Sequence, residues 1–176
     1  MKVSKTQLAV VACTATVSVV AAIAVFLYFY FRKTDMKLSY KGRELLKRFE
    51  GLRLTAYQCS AGVWTIGYGH TKGVKEDDVI TEAEAESMLT EDVKDAESTV
   101  NWQGLEINQN QFDALVCFVF NLGAGNFKKS ALLKKIKENP NDPTIEAEFQ
   151  KWINAGGKPV AGLRNRRTAE AQLYFA

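Results

Sequence analysis

An unbroken apolar run near the N-terminus divides this 176-residue chain into two unequal parts. From Leu8 to Phe31 none of the 24 residues is charged, and basic residues flank the run on both sides. A helix rises about 1.5 Å per residue, so a run of this length can cross the roughly 30 Å hydrocarbon core of a membrane. The sequence therefore predicts an N-terminal signal-anchor and short linker in residues 1–35 and a folded domain in residues 36–176.

The composition of the run favours an anchor that is not cleaved. Its last third, FLYFYF, is aromatic and lies next to Arg32 and Lys33, as is typical of a membrane–water interface. A signal peptide cleaved after Ala24 is the alternative, but it would leave VFLYFYF as an exposed N-terminus. Basic residues on both sides leave the orientation of the anchor open.

The domain itself carries no net charge, although the whole chain has a formal charge of +3. Residues 36–176 hold 19 basic and 19 acidic side chains. Twelve of the acids lie in residues 76–113, where Lys94 is the only basic residue. Proteins that bind nucleic acid usually present a dominant basic face, so we expect no nucleic-acid partner.

Side chains that ligate metal ions are scarce in this sequence. The chain has one histidine, His70, and three cysteines, Cys13, Cys59 and Cys117, without a C-x-x-C pair. A structural zinc site usually takes four such ligands at characteristic spacings, so we expect no metal and no other cofactor. Cys117 lies in an apolar stretch and is expected to be a core residue, whereas Cys13 lies within the apolar run.

Local patterns predict a small sheet near the front of the domain and helices behind it, an α+β fold that is mostly helical. Apolar residues at helical spacing predict a first helix over 40–49, which Glu50 and Gly51 end. Residues 52–70 are rich in strand formers and glycine, and they predict two or three strands with a turn at 60–62.

The end of this strand segment alternates between two kinds of side chain. Trp64, Ile66, Tyr68 and His70 fall on one face, and Thr65 falls on the other with the glycines. Glycines opposite large side chains are expected to leave the second face open, as a substrate cleft requires.

Capping signals set out the helices of the remaining domain. Thr81 and Glu84 form a capping box that predicts a helix to about Thr99. Asn108 precedes a nearly all-apolar stretch that Gly123 ends, and this stretch is expected to be the buried central helix. Further helices are predicted to begin at Ser130, Asp142 (running through Trp152) and Gly162.

Glu50 is the best candidate for acid chemistry. Cleavage of a glycosidic bond takes a protonated acid at the leaving oxygen and a second group that handles water or charge across the sugar. Glu50 follows the apolar Phe49 at a helix end and precedes the glycine-rich segment, a partly nonpolar setting that suits a carboxylic acid.

The pattern Glu50–x8–Cys59–x5–Thr65, followed by Gly-Tyr-Gly-His at 67–70, resembles the T4-type phage lysozymes, or muramidases. FDALVCFVFNLGAGNFKKSALLKKI, KWINAGGKPVAGL and RNRRTAEAQL extend the resemblance, which covers roughly residues 40–174. It implies a two-lobed fold with the site between lobes that a long central helix joins. It also implies hydrolysis of the β-1,4 bond between N-acetylmuramic acid and N-acetylglucosamine in peptidoglycan.

The resemblance implies roles for individual residues as well. Glu50 would be the general acid of an inverting reaction, and Thr65 would orient the attacking water or touch the substrate. Cys59 stands where many members of the family have Asp, and it either packs inertly or acts as a thiolate beside the sugar. Arg164 or Arg167 is expected to pair with the acidic residues near the site.

Three further residues have open roles. Trp64 and Tyr68 are expected in the core, or one of them stacks on a sugar ring. His70 is expected to be structural and near Glu50. Two rival functions follow from the same residues: a membrane-anchored wall-binding module that has lost catalysis, and a cysteine hydrolase that uses Cys59 with His70.

Endolysins of the resembling group include a class with a signal-arrest-release segment, which stays tethered and inactive until the membrane depolarises. The resemblance therefore implies an inner-membrane tether through residues 8–31 and a catalytic domain in the periplasm that causes host lysis. Cys13 is then a candidate for thiol control. The partners expected are peptidoglycan and the membrane, with the protein as a monomer.

Overall fold

The structure, a computed structural model, describes residues 35–59 and 61–176. The predictions for Leu8–Phe31, for Cys13, for cleavage after Ala24 and for the turn residue Ser60 lie outside these residues. Residues Met36–Ala176 form one compact unit. Within the described ranges, none of the helices is both long and apolar enough to cross a membrane.

Eight helices and two pairs of short strands make up the described domain, which confirms the mostly helical α+β prediction. In chain order they are α1 (Tyr40–Glu50), β1 (Arg53–Gln58), β2 (Trp64–Gly67), α2 (Glu82–Asp92), α3 (Lys94–Asn101), α4 (Gln109–Leu122), α5 (Ala124–Lys129), α6 (Ala131–Glu138), α7 (Ile145–Gln150), β3 (Asn154–Ala155), β4 (Lys158–Pro159) and α8 (Ala161–Tyr174). Both strand pairs, β1–β2 and β3–β4, are antiparallel.

Helix α4 is the buried centre of the domain, as its apolar sequence predicts. Asn108 and Gln111 form a capping box at its start, and Gly123, with a φ of 83°, ends it. Every residue from Gln111 to Val119 is buried. Because α1, α3 and α8 all pack against α4, side chains on these helices are positioned by one shared core.

An aromatic cluster joins α4 to the C-terminal helices. The ring of Phe118 makes edge-to-face contacts with Phe127, Phe149 and Trp152, at centroid distances of 5.5–6.2 Å. Phe149 in turn meets Tyr174 of α8 at 5.8 Å. Such pairs contribute about 0.5–1.5 kcal/mol each beyond the area they bury, so the cluster fixes α8 relative to α4.

Helix α1 ends at Glu50 and is fixed at both ends. Ser39 caps its first turn, and both the N–H and the hydroxyl of Ser39 donate to the carboxylate of Asp113 on α4. A Cβ at Gly42 would lie 2.7 Å from that of Asp113, so only glycine allows this approach of α1 to α4. Gly51, with a φ of 72°, closes the last turn.

The helix predicted from Thr81 to Thr99 is two helices. Its capping box is present, but α2 ends at Asp92 and α3 begins at Lys94. Val93, between them, is buried like the apolar residues on either side. Buried positions keep their helical spacing across the break, which is why the pattern does not reveal it.

Strand β2 ends earlier than the alternating pattern predicts. Ile66 and His70 exchange two backbone hydrogen bonds of 2.9 Å, and the turn between them places Gly67 and Gly69 at φ values of 64° and 96°. A Cβ at Gly67 would lie 3.5 Å from that of Ala85 on α2. The expectation of an open glycine face is therefore wrong at Gly67, which packs against a helix, whereas Gly69 is exposed.

The C-terminal part differs in smaller ways. Helix α7 begins at Ile145, after Asp142 and Pro143, and ends at Gln150 before Trp152. The hairpin β3–β4, which no pattern predicted, turns at two consecutive glycines with positive φ. Such glycine pairs favour tight hairpin turns.

Candidate active site

Glu50 is held by only one of its two carboxylate oxygens. Its side chain is 20% exposed, and Nη1 of Arg166 donates to Oε1 at 2.6 Å. Within residues 35–59 and 61–176, no donor contacts Oε2. A Cβ at Gly69 would lie 3.9 Å from Oε2, so the free oxygen is next to the glycine turn that follows β2.

Behind Glu50 lies a buried cluster of Arg166, Arg167 and Glu170 on α8, named here the arginine network. Oε1 of Glu170 accepts from Nε of Arg166 at 3.1 Å and from Nη2 of Arg167 at 3.0 Å. Nη2 of Arg166 donates to the backbone carbonyl of Cys117 on α4 at 3.2 Å. Each nitrogen of the Arg166 guanidinium therefore has its own acceptor, and the one left for Glu50 is Nη1.

The arginine network concentrates charge inside the core. Burial raises the pKa of Glu170 from 4.5 to about 7, although Arg167 and Arg166 both act to lower it. Burial also lowers the pKa of Arg167. The two guanidinium groups lie over aromatic rings, Arg166 at 5.7 Å from Phe49 and Arg167 at 5.0 Å from Phe118.

The arginine beside Glu50 is not one that the sequence singled out. Arg164 is exposed in the first turn of α8, and Arg167 points into the core beside Glu170. The structure corrects the choice to Arg166, because the 3.6-residue period of α8 places Arg166 and Glu170 on one buried face. Their opposite charges at a spacing of four were the available signal.

Cys59 and Thr65 lie on the β1–β2 hairpin, and with the N–H groups of Ala61 and Val63 they form what we name the hairpin thiol site. The half-buried Cys59 is a free thiol. The N–H groups of Val63 and then Ala61, with a smaller effect of the Thr65 hydroxyl, lower the pKa of Cys59 below its ordinary 9.0. These donors favour the thiolate.

Thr65 is buried, which leaves little of its side chain accessible to a substrate. It is 4% exposed, and its hydroxyl donates to the carbonyl of Val63 at 3.0 Å. Since the hydroxyl has one proton, it serves either this carbonyl or the Cys59 thiolate at any moment. The contact that the hydroxyl makes is with the hairpin backbone, and its effect on the pKa of Cys59 is smaller than that of the backbone N–H groups.

Both ring nitrogens of His70 have hydrogen-bond partners. Nδ1 lies 2.9 Å from each carboxylate oxygen of Asp92, and Nε2 lies 2.9 Å from the carbonyl of Lys72. Neither nitrogen is directed at Cys59, so the cysteine-hydrolase alternative lacks its base. The partner that orients His70 is Asp92, which no sequence pattern indicated.

Tyr68 is a core residue. It is 8% exposed, its hydroxyl lies 3.4 Å from Oε1 of Glu86, and Nζ of Lys47 lies 5.6 Å from its ring centre. It supports the turn between β2 and α2 and leaves little ring surface for a sugar. Trp64 is half-buried.

Cys117 is buried in α4, where its thiol lies 3.5 Å from the carbonyl of Gly42 and burial raises its pKa. The prediction of a core residue is confirmed. In the part of the chain that the structure describes, no group of three or more His, Cys, Asp or Glu side chains could hold a metal ion.

Glu50 is a half-buried carboxyl with one oxygen in an ion pair and the other beside a glycine turn, so it can exchange a proton with a bound molecule, as acid chemistry on a glycosidic bond requires. The class of protein that this fold and site define is a lysozyme-like glycoside hydrolase. Comparisons with known proteins give the family.

The family model described as phage lysozyme matches residues 47–170. The endolysin of Acyrthosiphon pisum secondary endosymbiont phage 1 is 46% identical over 145 residues, which cover 79% of this chain and 98% of that protein. The SAR-endolysin of Haemophilus phage HP1 is 32% identical and covers 78% of this chain and 80% of its own. The solved endolysin from Escherichia coli O157:H7 phage FAHEc1 has a TM-score of 0.73 at 39% identity, over 79% of this chain and 93% of that one.

This chain belongs to the phage lysozyme family. It is an endolysin, a glycoside hydrolase of the muramidase type that degrades peptidoglycan in host lysis. The resemblance on which the sequence analysis relied is therefore confirmed.

Proposed function

We propose that this endolysin hydrolyses the β-1,4 bond between N-acetylmuramic acid and N-acetylglucosamine, with Glu50 as the general acid. The observation that carries the proposal is the unequal environment of the two Glu50 oxygens. Arg166 holds Oε1 at 2.6 Å, whereas Oε2 has no donor among the described residues. A proton on Oε2 is therefore available to a sugar oxygen next to Gly69.

In this reaction the proton of Oε2 moves to the glycosidic oxygen as the bond to the anomeric carbon breaks. Glu50 is left as a carboxylate, and the adjacent Arg166 stabilises the negative charge that develops. Because the guanidinium is already in place, it does not have to reorganise during the step. Solvent returns a proton to Glu50 after the products leave.

In the proposed reaction the hairpin thiol site activates the attacking water. A water adds to the anomeric carbon from the face opposite Glu50, and the Cys59 thiolate accepts its proton. The Cys59 thiol gives this proton to solvent after the products leave. The lowered pKa of Cys59 and its half-exposed position support this role over inert packing. Thr65 then acts by holding the thiolate.

Products released from purified peptidoglycan test the proposal. We expect N-acetylmuramic acid at the new reducing ends, and proton nuclear magnetic resonance should show the inverted anomer first. An anhydro sugar, or a newly freed peptide amine, would overturn the bond assignment. Retention of configuration would overturn the water role of the hairpin thiol site while leaving the bond assignment intact.

Two substitutions of Cys59 separate its roles. Cys59→Asp places the group that many family members carry, so we expect it to remain active, whereas Cys59→Ala should lose most turnover. If Cys59 packs inertly, Cys59→Ala keeps its activity. A wall-binding module without catalysis predicts no product from the wild-type protein.

We also propose that residues 8–31 tether the enzyme to the inner membrane, with residues 36–176 as its catalytic domain in the periplasm. The uncharged length of this run supports the tether, as do the relatives named SAR-endolysins. Release on depolarisation would then free Cys13 to meet another thiol. Membrane fractions collected before and after depolarisation test release, because protein that stays in the membrane both times contradicts it.

A further inference from the structure

Glu170 is a buried carboxylate that the reaction above does not use. It is 0% exposed, and its Oε1 accepts hydrogen bonds from two arginines at once. In the described residues its Oε2 has no partner, and neither do Nε and Nη1 of Arg167. Leaving such atoms unpaired costs free energy, so a purely structural role would be filled better by an apolar residue.

We propose that Glu170 is a positioning residue, which aims the guanidinium of Arg166 at Glu50. The inference rests on the proposed role of Glu50 as the acid. It gives Glu170 a role in the reaction that involves no contact with the substrate.

The positioning follows from which nitrogen of Arg166 meets which acceptor. An arginine side chain is long and flexible, and its guanidinium can present any of its edges to a carboxylate. Glu170 takes Nε at 3.1 Å, and the carbonyl of Cys117 takes Nη2 at 3.2 Å. With these two contacts the plane of the guanidinium is set, and Nη1 reaches Oε1 of Glu50 at 2.6 Å.

The test compares Glu170→Gln, Glu170→Asp and the control Glu148→Gln in the full-length enzyme. Glu148 is a matched control, because it is also a buried glutamate in an ion pair but does not contact Arg166. Both kcat and KM are measured on purified peptidoglycan from about pH 5 to about pH 9. Folding is checked by circular dichroism.

For Glu170→Gln we expect kcat at neutral pH to fall at least about tenfold and KM to change less than about twofold. Glu170→Asp keeps the carboxyl group but shortens its reach, so kcat should fall in this variant as well. Glu148→Gln should keep the wild-type kcat.

A Glu170→Gln enzyme with the wild-type kcat would overturn the proposal. If this variant does not fold, Glu170→Asp decides, because a wild-type kcat in that variant contradicts positioning. An equal loss of kcat in Glu148→Gln would show a general stability effect and would also overturn it. Failure of the acid assignment itself is recognised separately, by activity that survives Glu50→Gln.

Discussion

The arginine network holds the Glu50 carboxyl and the hairpin thiol site holds the Cys59 thiol, and the two do so by opposite means. The network places ionisable side chains inside the core, where Arg167 and Glu170 are 0% exposed. The hairpin thiol site uses backbone N–H groups at a half-exposed turn, and no side chain of opposite charge contributes to the lowered pKa of Cys59. The environment of Glu50 depends on packing between α4 and α8, whereas the environment of Cys59 depends on one local turn.

This difference predicts different sensitivities. Changes in the network should reduce the free energy of unfolding as well as activity, because a buried charge without its partner is strongly destabilising. Changes at the hairpin should affect reactivity and leave the core intact. The two regions meet where the turn after β2 brings Gly69 to Glu50.

The largest effect on stability is expected from Arg166→Leu. It leaves Glu170 with one arginine and Glu50 with none, so the free energy of unfolding should fall by about 3–5 kcal/mol. Arg164→Leu is the matched control, because Arg164 lies on the same helix but is exposed, and it should stay within about 0.5 kcal/mol of wild type. Urea unfolding measures both, and equal losses would contradict the assignment to Arg166.

The pH dependence of stability tests the network without breaking it. Because the pKa of Glu170 is about 7 in the fold against 4.5 ordinarily, the folded state holds a proton that the unfolded state has lost. The free energy of unfolding should therefore fall as pH rises from about 4.5 to about 7, by about 3 kcal/mol in all. Glu170→Gln should remove this slope. A slope that persists in the variant belongs to another group.

The sequence predicted the elements that depend on local signals and missed the contacts that depend on packing. Caps at Asn108 and Gly123 predicted α4 to the residue, and Gly51 predicted that Glu50 ends a helix. Arg166 was missed because the choice among neighbouring arginines depends on the face that α8 turns toward α4. The same holds for Asp92 beside His70, since these residues lie on different elements.

The junction between the two regions is tested by Gly69→Ala, with Gly73→Ala as its control. Both glycines have positive φ, so each substitution should reduce the free energy of unfolding by about 1–2 kcal/mol. Only at position 69 does the new methyl group contact Oε2 of Glu50. We expect kcat/KM to fall about tenfold in Gly69→Ala alone. Equal losses in both would mean that backbone strain is the whole effect.

The smallest structural perturbation comes from alkylation of the native protein with iodoacetamide. Cys59 should react, and faster as pH rises, because its pKa is lowered and it is half-exposed. Cys117 should react only after unfolding, because burial raises its pKa. A Cys13→Ser background keeps the third thiol out of the measurement, which mass spectrometry follows. Similar rates for Cys59 and Cys117 would contradict the contrast.

The central claim is that Glu50 donates the proton from the oxygen that Arg166 does not hold. The most direct measurement is kcat of Glu50→Gln on purified peptidoglycan, with folding verified by circular dichroism. Glutamine keeps the shape and an acceptor for Arg166 but has no acidic proton, so kcat should fall at least about 100-fold. A folded Glu50→Gln enzyme that retains wild-type kcat would contradict the claim.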